Sequence, residues 1–172
     1  HRIDDPANLS RAYENYPRTT EQVIHNDSRS EEPPATLSVT VGNTTGEWAS
    51  LGSNTLGEMT TRTALDTELD RRRAAAAATG WGTDHLAVFQ HATDDSRFGW
   101  AWVMRWDDAA GAGDLDAALN DYATARDRAS PADFRVVSLD DRTVALVFGD
   151  SGFVQRASVA GTDGNVTVTV GE

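Results

Sequence analysis

The sequence predicts an α+β domain, a mainly antiparallel sheet with helices packed on one face. Three observations predict it. Segments with alternating or continuous apolar character and β-branched or aromatic residues occur at 35–41, 85–91, 98–106, 134–139, 143–148 and 166–170. Consecutive strand segments are joined by short polar stretches, Thr93–Arg97 and Asp140-Asp141, and such links favour antiparallel neighbours. Helical periodicity is confined to the segments between them, the arrangement of an α+β layer fold.

The elements follow in order. Leu9, Ala12, Tyr13 and Tyr16 share one helical face, and Pro17 ends that helix. Thr19 and Gln22 form a capping box for a short helix to about His25. Glu31-Glu32-Pro33-Pro34 is an extended loop. Residues 1–34 are therefore expected to be a helical segment and loop packing on an α+β domain of residues 35–172, a single domain overall. Leu37, Val39 and Val41 alternate with Thr36, Ser38 and Thr40 in a half-buried strand, and Gly42–Gly46 is a turn or loop.

Thr55 and Glu58 form a second capping box that starts a helix. Asp70 caps a helix running through Ala74–Ala78, and Gly80 takes the left-handed stop position. One bent helix and a hairpin of two remain equal alternatives for 55–80. Residues 85–91 and 98–106 are paired strands, with Trp100, Trp102, Met104 and Trp106 on one face, assigned to the core. Asp107 or Asp108 caps a helix from about Asp114 to Arg128. The Phe134–Leu139 and Thr143–Phe148 strands flank a turn at Asp140-Asp141; Gly152–Ala160 is helical or irregular, and Val166–Val170 is the last strand.

Composition bears on the solvent. All 15 basic residues are arginine, against 27 carboxylates, for a net charge of −12. Repulsion among those carboxylates opposes compaction at low ionic strength and is screened at molar salt, where the Debye length is about 3 Å. Arginine is weakly hydrated and pairs bidentately with carboxylate, whereas lysine exposes an apolar stem. This is the balance expected of a halophile protein. It argues against nucleic acid, because phosphate binding needs clustered cations and the run Arg71-Arg72-Arg73 adjoins Asp66, Glu68 and Asp70. Without cysteine, disulfides and thiolate metal sites are excluded. No apolar run has the length of a membrane-spanning helix.

Four of the seven asparagines, Asn8, Asn26, Asn43 and Asn165, stand in N-x-S/T sequons. They are glycosylation candidates and point to an extracellular or cell-surface location.

Signatures of chemistry are sparse. H-E-x-x-H, a phosphate loop and the G-x-S-x-G elbow are missing. His85 and His91 on one strand stand about 20 Å apart, too far for one metal. Asp94 and Asp95 beside His91, and the pairs Asp4-Asp5, Asp107-Asp108 and Asp140-Asp141, are best explained as solvated turns of an acidic protein. No metal, cofactor or catalytic residue is expected.

Three patterned segments stand out: Tyr16–His25, Gly80–His85 and Trp102–Asp107. With Leu56-Gly57-Glu58 between the first two, the sequence resembles the C-terminal half of a family of secreted or lipid-anchored surface proteins of haloarchaea and some bacteria. That family shows a P-x-S/T-T-E-Q-hydrophobic-H-P element, then L-G-E, A-A-G-W-G-G-D, and W-x-x-x-W-D before a helix. The resemblance spans about residues 13–150. Asn26 departs from the family's proline, and Thr83 from a frequent glycine. Many relatives carry an upstream metallopeptidase-like half with a zinc-binding helix. The resemblance implies a surface location and a partner domain, and supplies no catalytic residue.

The expected function is a non-catalytic surface domain binding a partner protein, a glycan or an upstream half of the same polypeptide, through a broad aromatic patch. His25, Trp81, Asp84, His85, Arg105 and Trp106 are the candidate binding residues, expected to meet on one rim of the sheet. The alternatives are a fragment of a metallopeptidase-like hydrolase and a structural subunit of a surface assembly.

Overall fold

The computed structural model describes residues 35–44 and 46–171. The chain divides into two units, His1–Pro33 and Pro34–Glu172, and the second is described here. The helix expected at Leu9–Tyr16, the Thr19–Gln22 capping box and the candidates His25, Asn8 and Asn26 lie outside the described residues.

The elements run β1 (Ser38–Thr44), β2 (Trp48–Asn54), α1 (Glu58–Leu65), α2 (Arg71–Ala78), β3 (Trp81–His91), β4 (Asp94–Trp106), α3 (Ala109–Ala129), β5 (Asp133–Ser138), β6 (Thr143–Gly149), α4 (Ser151–Arg156), β7 (Ala157–Thr162) and β8 (Asn165–Val170). An antiparallel sheet has the order β2-β3-β4-β6-β5. A smaller sheet has the order β1-β8-β7, with β1 and β8 parallel. The α+β class and mainly antiparallel sheet read from the sequence hold.

Both faces of the large sheet are buried along much of its central strands β4 and β6. Trp102, Met104 and Trp106 of β4 meet Leu65 of α1, Ala74 and Ala77 of α2, and Leu115 and Leu119 of α3. The alternate residues Ala101 and Val103 pack with Phe89, Ala145 and Val147 against Val159, Val166 and Val168 of the small sheet. The domain is thus three layers, helices, large sheet and small sheet. Burial on both sides explains why Ala101–Trp106 and Thr143–Val147 read as almost continuous apolar runs. Phe153 of α4 closes the second core by lying over Gly99, where an added Cβ would come within 2.1 Å of the ring.

Several expectations change. The turn or loop expected from Gly42 gives way to β1, which continues to Thr44, and residues 48–54 form β2. This strand has no sequence alternation because it is exposed on both faces beyond Trp48. The 93–97 turn shrinks to Ala92-Thr93, since β4 begins at Asp94. Of the two alternatives for 55–80, two helices form. The 152–160 region, expected to be helical or irregular, is helical to Arg156 and then becomes β7. β7 turns into β8 through Asp163 (φ 51) and Gly164 (φ 74), the doubly left-handed two-residue turn for which Asp-Gly is suited.

Candidate functional site

Asp84 anchors the start of α1. The sequence assigns that role to Thr55, but α1 is preceded by Gly57 at its N-cap, with no side-chain cap bond from within the segment. Instead Asp84, buried on β3, accepts from the Leu56 N–H at 2.8 Å, the Gly57 N–H at 2.9 Å and the Trp102 indole N–H at 3.2 Å. The Thr55 hydroxyl donates to the Asp84 carbonyl at 3.3 Å. A carboxylate from a neighbouring strand thus satisfies donors that helix geometry leaves open.

Trp81 and Trp106 are buried on the same helix side. The Trp106 indole donates to the Thr79 carbonyl at the end of α2, 2.8 Å away. Gly80 carries the expected left-handed turn there (φ 79), and Asp70 caps the start of α2 through the Arg72 and Arg73 N–H groups. Asp108, of the two aspartates considered, caps α3.

Arg105 faces the other side. Its guanidinium is buried among the Thr143 hydroxyl, at 2.5 Å, and both Asp140 oxygens, at 3.4 Å. Gly164 packs so close that an added Cβ would lie 3.3 Å from the Arg105 side chain. Burial raises the Asp140 pKa, but the Arg142 N–H, the Thr143 hydroxyl, the Arg105 charge and the Asp163 N–H together hold it below the ordinary carboxylate range. The cluster ties the β5–β6 turn to the β7–β8 turn. His85 pairs in register with Val103, on the Arg105 side of the sheet. Burial lowers its pKa, partly opposed by the Asp84 charge.

The sequence-predicted constellation is therefore divided. Trp81, Asp84 and Trp106 serve the helix side, and His85 and Arg105 the side of the small sheet, so they do not meet on one rim. Among the described residues no group of three or more His, Asp or Glu side chains is placed to hold a metal ion. His91 stands edge-on to Trp48, with ring centres 5.2 Å apart. Asn43 lies in β1. Asn165 is exposed at the start of β8, with Thr167 also exposed.

A different feature emerges where the helices stop covering the large sheet. Trp100, Phe148 and Phe134 are directly opposite one another on β4, β6 and β5. Their rings are nearly parallel, 5.2 Å apart for Trp100–Phe148 (13°) and 5.8 Å for Phe148–Phe134 (3°). Phe98 extends the row along β4, 5.8 Å from Trp100. Tyr122 meets Phe134 edge-on and Arg126 lies 5.8 Å over it, closing the row at α3. All four rings are half-buried. Phe98 and Trp100 belong to neither core cluster, so the expectation that Trp100 is core is corrected. Rings this close and nearly parallel are stacked, so the inner rings of the row cover part of one another's faces. The sequence shows the aromatics of each strand but not the register that aligns them.

The fold and this surface define a three-layer α+β domain with an aromatic row and no metal-binding cluster among its described residues. The chain belongs to the family described as Domain of unknown function (DUF8575), which it matches over residues 40–172. No curated protein and no solved structure matches it.

Proposed function

We propose that this is a non-catalytic, outward-facing domain of a halophile that binds a protein partner along the Phe98-Trp100-Phe148-Phe134 row. The single observation that carries the reading is that row. It leaves four large, partly buried rings in one row of a chain with net charge −12, and partly accessible aromatic strips mark interaction sites. Because stacking covers much of the inner ring faces, the row suits the apolar side chains of a protein better than a sugar. A glycan would need a free ring face to stack on. The partner is a surface protein or another domain of the same polypeptide. The lysine-free acidic composition, the exposed Asn165 sequon and the resemblance to haloarchaeal surface proteins support the location.

A photo-crosslinking residue at position 98, in protein displayed on cells at molar salt, tests this. The expected result is cross-linking to one defined envelope protein, competed by unlabelled wild-type protein and not by Trp100→Ala. Equal labelling from a control position such as the exposed Gln155 on α4 overturns it. Stoichiometric zinc in protein purified at high salt would favour the hydrolase reading instead.

A further inference from the structure

We propose that Asn165 is the attachment site of an N-linked glycan that covers the outer face of the small sheet, on the side of the domain away from the aromatic row. The inference deepens the outward-facing reading above and rests on it. Val166, Val168 and Val170 of β8 are buried in the core between the two sheets. Strand side chains alternate, so Asn165, Thr167 and Thr169 point the other way. Trp100 shares its side of β4 with Trp102 and Met104, which meet the helices.

Presentation is the first support. A transferase reads the asparagine together with a hydroxyl two residues on, and strand periodicity sets both on one face. Asn165 pairs with Ser38 of β1 and Thr162 of β7, and Thr167 pairs with Thr40 and Ala160; all six residues are exposed. Asn165 is also the first residue past the Asp163-Gly164 turn. Its amide nitrogen makes a long, 3.4 Å bond to the Asp163 carbonyl, a weak hold on the atom that takes the sugar. Charge is the second support. β1, β7 and β8 hold no charged side chain, in a chain that is 24% charged. A bulky, solubilising glycan supplies this uncharged face with the hydration that carboxylates supply elsewhere.

The donor is a sugar chain linked through its anomeric carbon to a lipid phosphate. The Asn165 Nδ2 bonds to that carbon, and the bond from the carbon to the phosphate oxygen breaks. The lipid phosphate leaves with the electron pair, and one amide proton passes to a base.

The test is peptide mass spectrometry of the protein produced from its complete gene in a glycosylating haloarchaeal host, with envelope and cytoplasmic fractions analysed separately. The tryptic peptide that begins at Ala157, after Arg156, is expected to carry a sugar mass in the envelope fraction. Asn165→Gln should abolish that mass, and so should Thr167→Val with Asn165 intact, whereas Thr167→Ser should keep it. All three variants alter exposed side chains, and unchanged thermal unfolding checks that the fold is kept. An unmodified peptide in envelope protein overturns the proposal and leaves the outward-facing reading standing. Protein confined to the cytoplasm overturns both. A sugar mass that persists in Asn165→Gln assigns the sugar to a hydroxyl of the same face and overturns the Asn165 site.

Discussion

Replacing Asp84 with alanine tests whether α1 is capped from β3 or from its own sequence. The change removes the acceptor for three donors: the Leu56 and Gly57 N–H groups and the Trp102 indole. Each buried donor left without a partner costs about 1–3 kcal/mol. Against this, the fold no longer desolvates a carboxylate that is only 3% exposed. The Leu56 N–H is also only partly buried and recovers some of its loss from water. The net loss should be about 3 kcal/mol, a fall in Tm of about 6–12 °C for a domain of this size. The assay is thermal unfolding by circular dichroism in molar KCl, with urea unfolding as a check. Thr55→Ala is the internal control. If Thr55 were the cap, its loss would cost about 1 kcal/mol, but the exposed hydroxyl here makes one 3.3 Å bond and should cost less than about 0.5 kcal/mol. An Asp84→Ala loss below about 1 kcal/mol, or a Thr55→Ala loss equal to it, would refute the reasoning.

Other outcomes follow from the same geometry. Gly99→Ala drives a Cβ into the Phe153 ring and should destabilise by about 2 kcal/mol or more, whereas Gly113→Ala, on α3 with open space around it, should stabilise by about 0.5–1 kcal/mol in the same melts. Arg105→Ala leaves Asp140 without its buried partner and should cost about 3–5 kcal/mol, with Arg105→Met costing less. Acidification should destabilise in two stages, read by urea titrations against pH. His85 has a folded pKa below its unfolded value, so the unfolded chain takes up the proton first and stability falls as pH drops below about 6.5. His85→Gln should abolish that stage. Asp140 and Asp150 are also lowered, Asp150 chiefly by hydrogen bonds from Arg97; their contribution is complete above the ordinary carboxylate range and is lost as pH falls through their folded values. Finally, raising KCl from 0.1 M to molar concentration should increase Tm by screening the excess carboxylates; an unchanged Tm would count against the halophile reading.

The sequence by itself determined the class of fold and much of its local detail. Period-two alternation placed β1 and β8, short apolar and aromatic runs placed β3, β4, β5 and β6, the 3.6 period placed α3, and the short-range chemistry of Asp70, Gly80 and Asp108 fixed helix ends, because these signals depend on neighbours a few residues away. The Asp163-Gly164 turn of the β7–β8 hairpin is an equally local signal. Tertiary structure alone decided what lies across the sheets. β2 is invisible to periodicity because neither of its faces is buried. The cap of α1 comes from Asp84, 27 residues beyond Gly57, and no local pattern can announce it. Strand register sent Asp84 and Arg105 to opposite faces, dissolving the expected rim. The same register lined up Trp100, Phe148 and Phe134 from three separate strands. Composition sets the surface that the solvent meets, while register and layer packing decide which aromatic side chains are left at that surface.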